Sequence, residues 1–132
     1  MITLRIVGEP APQGSKARGP HGGLYEMSGK KLRPWREAIA WTMKASEAHR
    51  DKITGPVGVE ILFILPRPAS AKRAMPAVRP DLDKLARAML DALKTGGAYD
   101  DDGQVVDLIV RKRYPVNGER PGAEVLIGEV TL

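Results

Sequence analysis

The sequence predicts an α+β fold: a single small domain of residues 1–132 in which a mixed sheet packs against two helices, in the order β-α-β-α-β-β. The chain has 132 residues and 42% of them are apolar, which suits one domain with one core. Segments in which apolar and polar residues alternate are separated by two segments with helical periodicity. The chain contains no internal repeat and no shift in composition that would divide it.

The N-terminal part of the chain predicts one strand and one long loop. Residues 2–7 (ITLRIV) alternate apolar with polar side chains, as a strand with one buried face does. Residues 8–23 are rich in Gly and Pro and carry Lys16 and Arg18, so they predict a basic loop. A loop of this length is unusual in a compact domain, which favours a functional role for it.

A helix and a central strand follow this loop. Residues 34–50 have helical periodicity, and Pro34 suits the first helical position, where its missing N–H costs nothing. Residues 55–68 (GPVGVEILFILPRP) carry apolar side chains on both faces of a strand. This pattern predicts a strand at the centre of the sheet.

The second half of the chain predicts a basic connection, a helix and two strands. Residues 67–80 are rich in Pro and basic residues, and residues 82–94 follow as an amphipathic helix. Residues 104–116 predict a third strand, and residues 123–132 predict a last strand that pairs with it as a hairpin. The apolar stripe of the helix consists of Leu82, Leu85, Ala86, Met89, Leu90 and Leu93.

The composition excludes several classes of protein. The chain has no Cys, so disulfide scaffolds and thiolate metal sites are excluded. Its first ten residues include Arg5 and Glu9, which does not fit a secretory signal. No uncharged run of ~18 residues or more could span a membrane. We therefore expect a soluble, cytoplasmic protein without a membrane partner.

The net charge of +5 is distributed unevenly along the chain. Residues 81–107 hold seven acidic side chains against three basic ones, whereas the rest of the chain is strongly basic. A basic body around a compact acidic segment fits a protein that binds a polyanion and carries out metal chemistry on it. An ordinary surplus of surface charge explains the same distribution equally well.

Two carboxylates, Asp81 and Asp83, stand at the start of the second predicted helix. Successive helical residues are rotated by ~100°, so positions i and i+2 point in nearly opposite directions. The two side chains can converge only if Asp81 lies at or before the N-cap, which Pro80 favours. Alternatively, Asp81 caps the helix, while Asp83 complements its dipole and pairs with Arg87 one turn later.

A second acidic cluster, Asp100 to Asp102, follows the helix. Three adjacent like charges repel, and a simple turn needs only one of them. If the chain brings the start of the third strand near the start of the helix, Asp81, Asp83 and one of these aspartates face a single point. Such a cluster suits a hard cation such as Mg²⁺, and two such ions would stabilise both oxygens of a phosphodiester displacement. A solvated loop tip is the alternative interpretation.

Other kinds of site fit the sequence poorly. An EF-hand loop aligned on Gly103 would place Ala98 first and Ile109 twelfth, and neither is a ligand of the required kind. Two scattered His residues and no Cys do not predict a zinc site. The chain has no Walker-type phosphate loop and no arrangement that indicates a Ser/His/Asp triad.

Residues 80–107 (PDLDKLARAMLDALKTGGAYDDDGQVVD) resemble the RusA family of Holliday junction resolvases. The shared pattern is Asp-Leu-Asp before a helix that carries a basic residue and DAL, then Gly, Asp-Asp and QVV. Residues 8–18 (GEPAPQGSKAR) and 30–39 (KKLRPWREAI) also look like members of this family, whereas the last strand is similar only in character.

The resemblance implies a Mg²⁺-dependent endodeoxyribonuclease, for which Mn²⁺ can substitute, that acts as a homodimer on four-way DNA junctions in recombination and repair. The family's first two catalytic aspartates fall on Asp81 and Asp83, and its third falls on Asp102, with Asp101 beside it as a further metal ligand. The family's functional lysine falls on Arg87. Arginine keeps the positive charge, but the two side chains are not interchangeable at a tuned site.

Basic side chains around the acidic segment are expected to bind DNA, and a two-fold dimer would present two equal sites to two strands. Two other functions stay open. One is a protein that binds DNA junctions without cleaving them, which Arg87 in place of lysine favours. The other is a Mg²⁺-dependent nuclease that also cuts other branched DNA. The predicted DNA contacts are Lys16, Arg18, Lys72, Arg73, Arg79 and Lys84, the last of which stands where the family usually has Asn.

Overall fold

The computed structural model describes residues 1–14, 16–18, 24–26, 29–46, 48 and 51–132. A four-stranded sheet and two helices make up most of this structure. In chain order the elements are β1 (Ile2–Val7), β2 (Lys16–Arg18), β3 (Leu24–Glu26), α1 (Gly29–Lys44), β4 (Val57–Ile64), α2 (Leu82–Thr95), a 3₁₀ turn (Asp102–Gln104), β5 (Val105–Arg113) and β6 (Gly122–Glu129).

The main sheet is mixed and has the strand order β1-β6-β4-β5. Strand β4 pairs in parallel with β5 and antiparallel with β6. The predicted order β-α-β-α-β-β is confirmed for β1, α1, β4, α2, β5 and β6. The prediction of a loop throughout residues 8–23 is wrong, because β2 lies there and pairs antiparallel with β3. Strands of three residues are too short for their alternation to be recognised in the sequence.

The last strand does not form the predicted hairpin with β5. Strand β6 lies between β1 and β4, where Val125 and Ile127 are each 1% exposed. Strand β5 is instead an edge strand whose side chains are mostly exposed. The buried side chains of β6 fit its position between two strands, and the exposed side chains of β5 fit its position at the edge of the sheet. As predicted, β4 also lies inside the sheet.

Both helices pack on the face of the sheet that carries Val59, Ile61 and Phe63 of β4. Helix α1 begins earlier than predicted, so Pro34 lies inside it and removes the hydrogen bond to the Lys30 carbonyl. Helix α2 matches its predicted range within one residue. Among the described residues, no helix has the length and apolar character needed to cross a bilayer.

Candidate active site

Asp81 is the N-cap residue of α2, with φ −69° and ψ 136°. This placement meets the condition under which Asp81 and Asp83 can converge. The carboxylate of Asp81 accepts no capping hydrogen bond, so helix capping by this side chain does not account for it. One carboxylate oxygen lies 3.8 Å from Lys84 Nζ, and half of the Asp81 side chain is exposed. The carboxylate therefore remains accessible to a ligand.

Asp83 and Arg87 lie one turn apart on an exposed flank of α2. The alternative interpretation expected them to form an ion pair. Within the described part of the chain, neither side chain forms an ion pair or a hydrogen bond with another residue. Asp83 lies in the first turn of α2, where its charge complements the helix dipole, but no ion pair fixes either side chain.

A trough of about 630 Å³ runs between this flank of α2 and the edge strand β5. Its wall is largely apolar and includes Ala86, Leu90, Leu108 and Val110. Charged side chains interrupt this wall, and we call the whole feature the acidic trough. The charged residues that line it are Asp83, Arg87, Asp91 and Asp102.

Asp102 lies at the C-terminal end of α2, because its Oδ1 is 3.3 Å from Lys94 Nζ. The buried Tyr99, whose hydroxyl donates to the Leu90 carbonyl at 2.8 Å, lies in the same region. Burial raises the pKa of the Tyr99 phenol well above its usual value, and the negative charges of Asp102 and Asp91 raise it further. Two carboxylates, Asp91 and Asp102, therefore lie near Tyr99 at this end of the acidic trough.

The structure does not bring Asp81, Asp83 and Asp102 to one point within a single chain. Asp83 and Asp91 alone are separated by about 12 Å along the helix axis. Among the described residues, no three acidic or His side chains are close enough together to hold a metal ion. The reason is topological: β4, α2 and β5 form a parallel crossover, so the start of β5 lies at the end of α2 and not at its start.

The three consecutive aspartates have different environments. Asp100 pairs with Lys52 at 2.8 Å. Asp101 caps the 3₁₀ turn by accepting from the Gly103 N–H at 3.1 Å, and Gln104 completes a capping box. The Asp101 side chain thus caps the turn and the Asp100 side chain pairs with Lys52, whereas Asp102 lines the acidic trough.

A second depression, of about 600 Å³, lies beside the N-terminal end of α2. We call it the cationic cleft. Its acidic members are Glu9 and Asp81, and Tyr114 and several prolines complete its wall. The basic residues that line it are Lys31, Arg73, Arg79 and Lys84.

Hydrogen bonds from Lys112 of β5 and from Arg67 hold the basic connection, residues 67–80, that precedes Asp81. Lys112 Nζ donates to the carbonyls of Val78 and Pro80 at 2.8 and 2.9 Å. Arg67 donates to the Arg73 carbonyl at 2.8 Å and stacks on Tyr114, with 4.9 Å from its guanidinium carbon to the ring centroid. These contacts order the basic connection beside the cationic cleft.

The predicted DNA contacts are distributed as follows. Arg73, Arg79 and Lys84 line the cationic cleft, and Lys72 is exposed on the same connection. Lys16 and Arg18 belong to β2, but their side chains lie outside the described part of the structure.

Sequence reasoning missed several residues at these two sites. Helical spacing places Asp91, eight positions after Asp83, on the same flank of α2, but Asp91 was not among the predicted site residues. Lys112 and Tyr114 join the site through strand pairing and loop packing, for which the sequence carries no local signal.

Comparison with known proteins adds two findings. The family model described as "Endodeoxyribonuclease RusA" matches residues 7–128 of this chain. The chain is also 33% identical, over 146 aligned positions, to a protein of Bacillus subtilis (strain 168) described as "Uncharacterized protein YqaN". This alignment covers 98% of the present chain and 97% of the relative.

Proposed function

Because the chain belongs to the RusA family of endodeoxyribonucleases, we propose that it is a Mg²⁺-dependent homodimeric enzyme that resolves four-way DNA junctions by paired hydrolysis of two phosphodiester bonds. The observation that carries this proposal is the state of Asp81, Asp83 and Arg87. Asp83 and Arg87 have no ion-pair or hydrogen-bond partner among the described residues, and the exposed Asp81 lines a cleft with four basic side chains. DNA recombination and repair are the processes in which such an activity is needed.

The carboxylates fit the metal that the proposal requires. Asp81, Asp83 and Asp102 offer oxygen ligands only, and all three are exposed. Mg²⁺ is usually bound by one or two carboxylates, while water and substrate phosphate supply its other ligands. Asp81 and Asp83, with an Asp102 that the proposed dimer would have to bring to them, would hold the ion, which would supply an activated water and stabilise charge on the phosphate. Asp101 is a weaker candidate, because it already caps the 3₁₀ turn.

The basic residues would have two roles, one at the scissile phosphate and one at the neighbouring phosphates. Arg87 lies on the same flank of α2 as Asp83, so its guanidinium would contact the scissile phosphate and stabilise the charge that develops there. Arg73, Arg79 and Lys84 would hold neighbouring phosphates in the cationic cleft. Lys16, Arg18 and Lys72 would extend this contact along the DNA.

A four-way junction and a linear duplex of the same sequence test the proposal. Each is incubated with the protein in Mg²⁺, in Mn²⁺ and in EDTA. Symmetric incision of the junction in either metal, with little cleavage of the duplex and none in EDTA, is the expected result. Cleavage of flaps and forks at the same rate would instead assign a broader branched-DNA nuclease.

A junction-binding protein without nuclease activity is the second candidate. The observation that favours it is the separation of Asp102 from Asp81 and Asp83 within one chain, together with Arg87 in place of the family's lysine. Tight junction binding with no incision in Mg²⁺ or Mn²⁺ would select this candidate over the enzyme.

A further inference from the structure

The N-terminal end of α1 carries positive charge that opposes the helix dipole. Helix α1 contains five basic side chains and one acidic one, and its first turn has no acidic residue. The positive end of a helix dipole favours acidic side chains, so Lys30 and Lys31 lie where their charge is disfavoured. Lys31 is paired with Glu9 at 3.2 Å. A local sequence that opposes its own secondary structure is commonly found at functional sites.

Three basic side chains of α1 have no partner in the part of the chain that the structure describes. There, the side chains of Lys30, Arg33 and Arg36 form no ion pair and no hydrogen bond. Lys30 and Arg33 are exposed, and Arg36 is half-buried. The three charges are therefore open to an anionic ligand that approaches α1 from solution.

An exposed tryptophan lies on the same face of α1. Trp41 is 71% exposed, whereas Trp35 of the same helix is 1% exposed in the core. Lys44 Nζ lies 5.4 Å from the centroid of the Trp41 ring, where the cation and the ring attract each other. Successive helical residues are rotated by ~100°, which places Arg33, Trp41 and Lys44 within a sector of about 80°. One exposed apolar side chain is ordinary, but an indole beside several cations is typical of surfaces that bind nucleic acid.

A groove of about 670 Å³ lies between α1 and the C-terminal part of α2. Buried apolar side chains of both helices form its floor, among them Leu32, Met43 and Ala92. We call this groove, together with Lys30 and Trp41 on the adjoining surface of α1, the basic groove. The charged residues that line it are Arg33, Arg36, Glu37 and Lys44.

The basic groove adjoins the cationic cleft. Lys31 lines the cleft, and Lys30 and Arg33 lie within two residues of it on α1. From Lys31 to Lys44 the helix extends about 20 Å, at 1.5 Å per residue. A row of cations with an aromatic side chain matches the grooves that track the backbone of a single nucleic-acid strand over about 4 to 16 nucleotides. The composition of the groove therefore favours a single strand as its ligand.

We infer that the basic groove binds an unpaired strand of DNA, with phosphates on Arg33 and Arg36 and a base stacked on Trp41. The choice of DNA rests on the proposed function, whereas the surface follows from the side chains of α1. Duplex DNA fits less well, because its bases are stacked on one another and have no free face for the indole. Branched DNA with an unpaired strand would therefore contact both surfaces, with its duplex in the cationic cleft and its single strand in the basic groove.

An oligothymidylate tests the inference without any cleavage. The protein is titrated in EDTA with a strand of about 10 nucleotides, a length within the range that such grooves bind. Tryptophan emission should be quenched on binding, because Trp41 stacks on a base while the buried Trp35 is unaffected. Trp41→Leu should lower the affinity for a labelled strand, measured by fluorescence anisotropy, by about 10-fold. Unchanged emission, or equal affinity of Trp41→Leu, would overturn the inference.

The salt dependence of the same binding tests the two arginines. Arg33→Ala and Arg36→Ala should each reduce the slope of log K against log salt by about 0.7 for each phosphate contact removed. Arg120→Ala, an exposed arginine outside the groove, is the matched control and should keep the wild-type slope. Thermal melting checks that all three variants are folded. Wild-type slopes in both groove variants would contradict the inference.

Two further ligands separate an unpaired strand from other occupants of the groove. A blunt duplex of the same length should leave Trp41 emission nearly unchanged, and equal quenching by the duplex would overturn the assignment of an unpaired strand. Polyglutamate should also leave the emission unchanged, and quenching by polyglutamate but not by DNA would assign an acidic protein segment instead. Junction cleavage without binding of oligothymidylate would overturn this inference alone. Binding of oligothymidylate without any junction cleavage would overturn only the proposed enzyme.

Discussion

The two ends of α2 differ in what surrounds their carboxylates. At the N-terminal end, Asp81 lines the cationic cleft and Asp83 lines the acidic trough, and no hydrogen bond to either carboxylate is found within the described residues. At the C-terminal end, Asp102 lies beside Lys94, above the buried Tyr99. Under the proposed function, the first end offers cations to DNA, and the second end offers a further carboxylate to the metal.

The two ends of α2 also differ in how the charged side chains around them are held. Hydrogen bonds and stacking order the cationic cleft before any ligand arrives, through Lys112, Arg67 and Tyr114. Among the carboxylates that line the acidic trough, Asp102 is paired with Lys94, whereas Asp83 and Asp91 form no ion pair within the described residues. Asp100 and Asp102 are each paired with a lysine, and they differ in that Asp102 lines the acidic trough.

The largest expected effect is the loss of a carboxylate at either end of α2. Asp83→Asn and Asp102→Asn should each reduce junction cleavage by about 100-fold or more, because each removes a metal ligand. Asp100→Asn is the matched control, and it should cut at nearly the wild-type rate. Single-turnover cleavage of a labelled junction measures all three. If Asp102→Asn cleaved normally and Asp100→Asn lost activity, Asp100 and not Asp102 would be assigned as the metal ligand.

Substitution of Arg87 should have the next largest effect. Arg87→Ala removes the proposed contact to the scissile phosphate and should lower the cleavage rate by about 10- to 100-fold at saturating DNA. Arg87→Lys keeps the charge and should recover part of the rate. Equal loss in both variants would indicate that the planar guanidinium, and not the charge, is what the site requires.

Substitutions in the cationic cleft should weaken binding and leave the chemical step intact. Arg73→Ala or Arg79→Ala should lower junction affinity and reduce the slope of log K against log salt by about 1 for each phosphate contact removed. Arg120→Ala, an exposed arginine outside the cleft, is the control. Titrations at several salt concentrations measure the slopes, and an unchanged slope in both cleft variants would remove the cleft from the DNA-binding surface.

The smallest expected effect concerns a carboxylate that does have fixed partners. Hydrogen bonds from Arg113 and from the Val116 N–H lower the pKa of Glu119 from 4.5 to about 2. Because the pKa is lower in the folded state, the stabilisation is fully present above pH 4.5 and is lost as the pH falls through 2. Wild type should therefore melt at a higher temperature than Glu119→Gln at pH 6, and this difference should shrink towards pH 2.5. A difference that is independent of pH would contradict the assignment.

The sequence was most informative where the signal is local. Helix α2 and the N-cap position of Asp81 follow from side-chain periodicity and from Pro80, and the structure confirms both. The sequence was least informative about pairing. The central position of β6 and the open edge of β5 depend on contacts between distant segments, which periodicity does not encode. The position of Asp102 at the far end of α2 is a consequence of the crossover between β4 and β5, so the expected convergence within one chain failed for the same reason.

A paramagnetic titration tests most directly whether the two ends of α2 serve one metal site. Mn²⁺ is added in small amounts to isotope-labelled protein, and the loss of amide signals is followed by NMR. Signals of Leu82 to Lys84 and of Asp102 and Gly103 are expected to disappear together, at the same Mn²⁺ concentration, and Asp83→Asn should protect both groups. Disappearance at separate concentrations, or protection of only the first group by Asp83→Asn, would contradict a single shared site.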